Sequence, residues 1–172
     1  TDGRLTQEVL DPGRSVTPTR IHFKSATDGF LAAATNNGNK ILRSSDGGAT
    51  WSGGVDVGDA YGQFYSQGPE KLAFRSGLKQ LYVWRDGGFA KAQIPTFTDV
   101  GQVSFAEDRI VVGNSLDIAI AVSNDGTNFT AVNRDLRTST QILRGWLKKV
   151  YPISNDVWIG QGGWNLALTR DG

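Results

Sequence analysis

The side chains of this chain that could take part in catalysis are acidic residues, tyrosines and one histidine. The chain has no cysteine, which excludes a thiolate nucleophile, thiolate metal ligands and disulfide bonds. His22 lies between Ile21 and Phe23, so we predict a half-exposed strand residue at this position rather than a catalytic one. A single histidine gives no support for a catalytic triad or a histidine-ligated metal site.

Glycoside hydrolysis requires two carboxylates that face one glycosidic bond. The carboxylates considered for this role are Asp56, Asp59, Asp99, Asp117 and Glu107. Solvated turn positions account for all of them, and no spacing in the sequence places two of them at the required separation. We therefore predict no catalytic residues, no metal and no cofactor.

Aromatic side chains beside amides offer a different chemistry, the recognition of a sugar. Trp164 follows the glycine-rich segment 161–163, while Asn36 and Asn37 crowd another polar tip. The predicted ligand-binding residues are Trp164, Tyr61, Trp146, Arg144, Asn36 and Asn37. Packing between neighbouring repeats is an open alternative for Trp146, and a structural role is an equal alternative for Trp164.

Length and composition limit the classes of protein that can present these residues. The chain has 172 residues, enough for one domain or two small ones, and 22 of them are glycine, which favours many tight turns. The formal net charge of +1 gives no reason to expect a nucleic-acid partner. The sequence contains no run of about 18 apolar residues, so we predict no membrane span. The chain contains no methionine, so we expect it to be processed or excised from something longer.

A repeat of about 40 residues organises the chain. Aspartates recur at Asp46, Asp86, Asp125 and Asp171, separated by 40, 39 and 46 positions. Each follows a short apolar strand, a polar glycine-rich turn and a second apolar strand, which is the signal of a β-hairpin. A period near 40 residues with these hairpins is typical of a four-stranded propeller blade.

The segment Ser44–Trp51 fits the pattern S-x-D-x-G-x-T-W at every fixed position. Here the chain resembles the Asp-box β-propellers, also described by the bacterial neuraminidase repeat, and three weaker copies follow. The resemblance implies that the motif residues fix turns rather than bind ligand. These residues are Ser44, Asp46, Gly48, Thr50, Trp51, Asp86, Phe89, Ser123, Asp125, Phe129 and Asp171.

We therefore predict an all-β protein, a β-propeller of about four four-stranded blades in one domain. The predicted blades cover residues 20–57, 58–97, 98–135 and 136–172, with residues 1–10 as a closing strand. Oligomerisation, or chain beyond this sequence, is the alternative way to complete the ring. Residues 138–149 form a short helix or an extended connection, and this irregular stretch is a candidate place for function.

The predicted function is non-enzymatic binding of a glycan or cell-surface receptor by a secreted or virion-surface protein, such as a phage tail adhesin. A sialidase-like glycoside hydrolase, or a fragment of one, is an alternative. That family carries an Arg-Ile-Pro element and a tyrosine–glutamate pair, and neither is recognisable here. A protein-docking scaffold is the third hypothesis, because propellers host many functions.

Overall fold

A computed structural model describes residues 15–94, 99–113, 120–132, 149–154, 157–161 and 166–169. Within these ranges the protein is all-β: fifteen antiparallel strands form four sheets, and no helix occurs. The strands are β1 Val16–Phe23, β2 Gly29–Thr35, β3 Gly38–Ser44, β4 Ser52–Asp56, β5 Gly62–Ser66, β6 Leu72–Ser76, β7 Gln80–Arg85, β8 Gly88–Lys91, β9 Gln102–Phe105, β10 Ile110–Gly113, β11 Ile120–Ser123, β12 Thr130–Val132, β13 Lys149–Pro152, β14 Trp158–Gln161 and β15 Leu166–Thr169.

The chain divides into two compact units, residues 1–61 and residues 62–172. The first unit contains one four-stranded sheet in the order β1-β2-β3-β4. Its central strand β2 is almost continuously apolar, and the core of the unit is Leu31, Ala33 and Leu42, against which Val16 and Trp51 pack. Pro18 lies on the edge strand β1, where the missing N–H is tolerated, and the register shifts between Pro18 and Arg20.

The second unit contains three sheets, ordered β5-β6-β7-β8, β9-β10-β11-β12 and β13-β14-β15. One apolar core joins the first two of these sheets through residues such as Val83, Val103 and Phe129. A smaller core of Val111, Ile120 and Trp158 joins the second and third. Strands that are apolar on both faces are expected where sheets pack on both sides. The turns that connect these strands carry the residues predicted to have a function.

The first sheet begins before the predicted blade range 20–57, because β1 starts at Val16. β8 starts at Gly88, because a two-residue turn brings Gly88 opposite Arg85. The fourth sheet has three described strands. The predicted closing strand, residues 1–10, and the greater part of the irregular stretch, residues 138–148, lie outside the described residues.

Candidate ligand-binding sites

The turn between β3 and β4 is closed by the side chains of Ser44, Asp46 and Thr50. The buried Ser44 hydroxyl donates to Asp46 Oδ1 at 2.7 Å and accepts from the Gly48 N–H at 2.8 Å. Thr50 donates its N–H to Asp46 Oδ1 at 2.9 Å and its hydroxyl to Oδ2. These hydrogen bonds hold the pKa of Asp46 at about 2, and the bond from the Thr50 hydroxyl contributes most to this lowering. Both carboxylate oxygens are therefore occupied within the turn.

The turn between β11 and β12 repeats this arrangement. The Ser123 hydroxyl donates to Asp125 Oδ1 and accepts from the Gly126 N–H, both at 2.8 Å. The N–H groups of Thr127 and Asn128 also reach Asp125 Oδ1, and the Asn128 amide donates to Oδ2. The bonds from Asn128 lower the pKa of Asp125 well below its usual range. The geometry suits a structural role at this turn too.

The turn at Asp86 is built differently. Arg85 pairs with Gly88, so only Asp86 and Gly87 connect β7 to β8, and both have positive φ, 49° and 81°. Two-residue hairpins favour this conformation, which aspartate and glycine tolerate well. Asp86 thus differs from Asp46 and Asp125, because this turn is shorter and its backbone is left-handed. Asp171, the fourth predicted motif aspartate, lies outside the described residues.

The aromatic residues that follow these turns pack inward. Trp51 is half-buried and makes an edge contact with Phe23, with ring centroids 6.1 Å apart. Phe89 makes an edge contact with Trp84 at 5.4 Å, and Phe129 is buried in the core shared by two sheets. Phe89 and Phe129 are therefore part of the protein interior, whereas Trp51 stays partly exposed beside Phe23.

One end of the first unit displays three of the predicted ligand-binding residues. Asn36 and Asn37 are exposed at the β2–β3 turn, and Tyr61, with 67% of its surface exposed, ends the segment after β4. Hydrogen bonds tie this segment to the start of β3: the Val57 N–H donates to the Asn39 carbonyl, and the Asn39 amide donates to the Gly58 carbonyl. We refer to the segments 36–39 and 57–61 as the tyrosine–asparagine end.

The connection before Tyr61 is fixed to the sheet by further hydrogen bonds. The Thr19 hydroxyl contacts the carbonyls of Ala32 and Ala60, and the Asp59 carboxylate accepts the Tyr61 N–H at 2.8 Å. The backbone that carries the exposed ring is therefore held in place. The other predicted binding residues, Trp164, Trp146 and Arg144, lie outside the described residues.

The carboxylates considered for hydrolysis have different surroundings in the structure. Asp56 forms an ion pair with Lys40, Asp59 holds the Tyr61 N–H, and Asp99 is buried. Glu107 is exposed, and Asp117 lies outside the described residues. Across the described ranges, no three histidine, aspartate or glutamate side chains come together as a metal site would require.

A cleft of about 250 Å³ in the second unit has a lining of mixed charge. Val83, Phe105 and Ile110 contribute apolar surface, and the Lys71 ammonium donates to the Ala106 carbonyl at 2.6 Å. The charged residues of the lining are Glu70, Lys71, Arg85, Glu107, Asp108 and Arg109. Since cations and anions are equal in number, this cleft has no net preference for either charge.

A groove of about 280 Å³ in the second unit was not anticipated from the sequence. It lies along the first strands of three sheets, and we refer to it as the tyrosine groove. Its described lining is Tyr65, Ser66, Gln67, Val103, Ser104, Phe105, Tyr151 and Pro152. Tyr65, Ser104 and Tyr151 each occupy the penultimate position of their strand. That shared position is the sequence signal that could have located the groove.

Comparisons with known proteins support the fold. No model of a known protein family matches the chain, and no curated protein matches it. A solved structure of YCF48 from Cyanidioschyzon merolae matches 94% of this chain with 16% identity and a TM-score of 0.50, and the match covers 58% of that chain. The computationally designed Ika4 protein matches 98% of this chain and 100% of its own length, with 15% identity and a TM-score of 0.56.

These likenesses show that the chain has a β-propeller fold. YCF48 bound to D1 peptide gives a TM-score of 0.49, at 15% identity over 90% of this chain and 53% of that one. None of the described residues forms a helix long and apolar enough to cross a membrane.

Proposed function

We propose that this protein is a binding module that recognises a glycan on a cell surface. The observation that carries the proposal is the tyrosine–asparagine end, where Tyr61, Asn36 and Asn37 are exposed on two segments that hydrogen bonds join. An aromatic ring can stack on the apolar face of a sugar, and amides both donate and accept hydrogen bonds. The backbone is fixed before the ligand arrives, which lowers the entropic cost of binding.

A glycan array with the protein displayed multivalently tests this proposal, because linkage of several weak sites raises the apparent affinity. We expect binding to one class of glycan, and we expect Tyr61→Ala to weaken that binding about tenfold. Tyr61→Phe keeps the ring and should retain most of it. Leu78→Ala, which removes another exposed apolar side chain, is the matched control and should bind like the wild type.

A blank array with folded protein would overturn the glycan proposal and favour docking of a protein partner. Binding that survives Tyr61→Ala unchanged would show that the tyrosine–asparagine end is not the site. The small formal net charge of +1 and the lack of cysteine are compatible with a secreted or virion-surface protein of the tail-adhesin kind, and this location is part of the proposal.

We further propose that the four sheets are four blades of an Asp-box type propeller. The complete motif at Ser44–Trp51 and the matching hydrogen bonds around Asp46 and Asp125 support this assignment. In the proposed ring, residues 1–10 supply the strand that completes the fourth blade, since closure removes an exposed sheet edge. A second copy of the chain, or chain beyond this sequence, is the alternative source of closure.

Glycoside hydrolysis is a second candidate function, favoured by one observation: Glu70, Glu107 and Asp108 line the same cleft. A carboxylic acid and a carboxylate across a cleft are the groups that this reaction uses. Release of the chromophore from a panel of aryl glycosides, abolished by Glu107→Gln, would support hydrolysis. Activity that Glu107→Gln leaves unchanged would remove Glu107 from the reaction.

A further inference from the structure

The tyrosine groove combines exposed aromatic surface with uncharged polar groups. Tyr151 is 43% exposed and Tyr65 is half-buried, while Ser66 and Gln67 are exposed. Val103 and Phe105 are buried and contribute an apolar floor. A site that must hold both the apolar face and the hydroxyl groups of a sugar needs this combination of ring surface, hydroxyls and amide.

Hydrogen bonds fix the orientation of both rings. The Tyr65 hydroxyl lies 3.1 Å from the Gly101 carbonyl and 3.3 Å from Gln63 Oε1. The Tyr151 hydroxyl donates to Gln161 Oε1 at 3.4 Å, across the pair of strands β13 and β14. The rings are therefore held before a ligand binds, and each hydroxyl oxygen retains the capacity to accept a further hydrogen bond.

Charge separates the tyrosine groove from the mixed-charge cleft. None of the described residues that line the groove carries a formal charge. Burial raises the pKa of the Tyr65 hydroxyl, and the positive charge of Arg75 opposes this rise only in part, so the group stays neutral at physiological pH. A charged ligand would lose its hydration in the groove, while the Arg75 guanidinium already donates to the carbonyls of Val100 and Gly101. The groove therefore favours an uncharged ligand.

Size favours a short ligand. The groove volume of about 280 Å³ lies just below the range for small-molecule sites, which is about 300–1,000 Å³. Proline-rich peptides also dock on aromatic grooves, but they need a longer row of exposed rings. One ring is well exposed here and the other is half-buried, so a compact polar ligand fits the described lining better.

We propose that the tyrosine groove binds one or two rings of an uncharged saccharide, as a subsite separate from the tyrosine–asparagine end. The inference rests on the proposed function, since it assigns the class of sugar and a second place of binding.

Saturation-transfer NMR with single methyl glycosides tests the inference. The neutral probes are methyl glycosides of glucose, galactose, mannose and N-acetylglucosamine; the charged probes are those of glucuronic acid, N-acetylneuraminic acid and glucosamine. We expect at least one neutral probe to bind and the charged probes not to bind at the groove. Tyr151→Ala and Gln67→Ala should each weaken the neutral probe, Tyr151→Ala about tenfold. Leu78→Ala should leave it unchanged.

The possible outcomes separate this inference from the proposed function. A neutral probe whose binding is weakened by Tyr151→Ala and not by Tyr61→Ala supports the tyrosine groove. If Tyr61→Ala abolishes all saccharide binding while Tyr151→Ala and Gln67→Ala change nothing, the inference is wrong and the proposed function stands. Absence of binding to any saccharide overturns both.

Two further results would also count against the groove as a neutral-sugar site. One is preferential binding of a charged probe that Tyr151→Ala weakens. The other is a proline-rich peptide that perturbs the Tyr65 and Tyr151 ring resonances when no saccharide does. Thermal melting of each variant checks that it is folded, and Gln67→Ala, at an exposed position, carries the test if Tyr151→Ala is unfolded.

Discussion

At the scale of single residues, the position of a carboxylate relative to backbone N–H groups decides its role. Asp46 and Asp125 are both at the surface, yet their oxygens accept several hydrogen bonds from within their own turns. Such bonds stabilise the ionised form and lower the pKa. At Tyr61 the backbone N–H donates to the Asp59 carboxylate, whereas the side-chain ring is exposed to solvent.

The lowered pKa of Asp46 predicts acid sensitivity of the first unit. A carboxyl whose pKa is about 2 in the folded protein and about 3.9 in the unfolded chain contributes stability fully above pH 4. That contribution is lost as the pH falls from about 4 to about 2. Asp46→Asn should therefore lower the melting temperature at pH 7 and flatten its fall between pH 4 and pH 2.

Circular dichroism melts at half-unit pH intervals measure this effect. Thr50→Val removes the hydroxyl that donates to Asp46 and should give a smaller change in the same direction. Ser45→Ala, an exposed position of the same turn, is the control and should follow the wild-type curve. Wild-type and Asp46→Asn curves of equal slope below pH 4 would show that Asp46 does not supply this dependence.

At the scale of strands and turns, close backbone approach sets which residue is allowed. Gly62 opens β5 opposite Ser76, and a Cβ atom there would overlap the Arg75 carbonyl oxygen and lie 2.7 Å from the Phe74 ring. Gly88 opens β8, and a Cβ atom there would have no neighbour within 4 Å. A side chain is therefore excluded by the neighbouring backbone at Gly62, whereas there is space for one at Gly88.

Gly62→Ala should destabilise the second unit by about 1–3 kcal/mol, because the backbone of β6 cannot yield as a flexible side chain would. Gly88→Ala is the matched control, and its effect should lie within about 0.5 kcal/mol of zero. Urea unfolding followed by tryptophan fluorescence measures both. Equal stability of the two variants would contradict the close approach of β5 and β6.

At the scale of the whole molecule, the β-propeller fold follows from similarity to YCF48 and Ika4 rather than from any single motif. Sheets that pack against neighbouring sheets bury both faces, which explains why β7 in the second unit is apolar on both sides. The proposed closing strand would cover the edge of the fourth sheet.

Deletion of residues 1–10 tests that closing strand. If it pairs with the fourth blade, its removal should lower the melting temperature by about 5 °C or more and promote self-association through the exposed edge. Light scattering after size exclusion gives the mass, to be compared with 18.6 kDa for one chain. Deletion of residues 1–3 is the control. An unchanged melting temperature would assign closure to a second copy or to further chain.

The sequence alone was sufficient for the class of fold and for the hairpins, because hydrophobic periodicity and glycine-marked turns are local properties of the chain. The same reasoning located the turns at Asp46, Asp86 and Asp125, but not the two-residue length of the turn at Asp86, because turn length depends on the register between β7 and β8. Tyr61, Asn36 and Asn37 were singled out as an aromatic ring and amides. The hydrogen bonds that join segments 36–39 and 57–61 are visible only in the tertiary structure.

The existence and lining of the tyrosine groove depend entirely on the tertiary structure. Tyr65, Ser104 and Tyr151 are far apart in the sequence and meet because three first strands lie side by side in the second unit. No local pattern encodes which side chains from separate sheets share a surface, since that depends on packing. The sequence determined the repeating strands, and packing between the sheets determined where the repeats create a site.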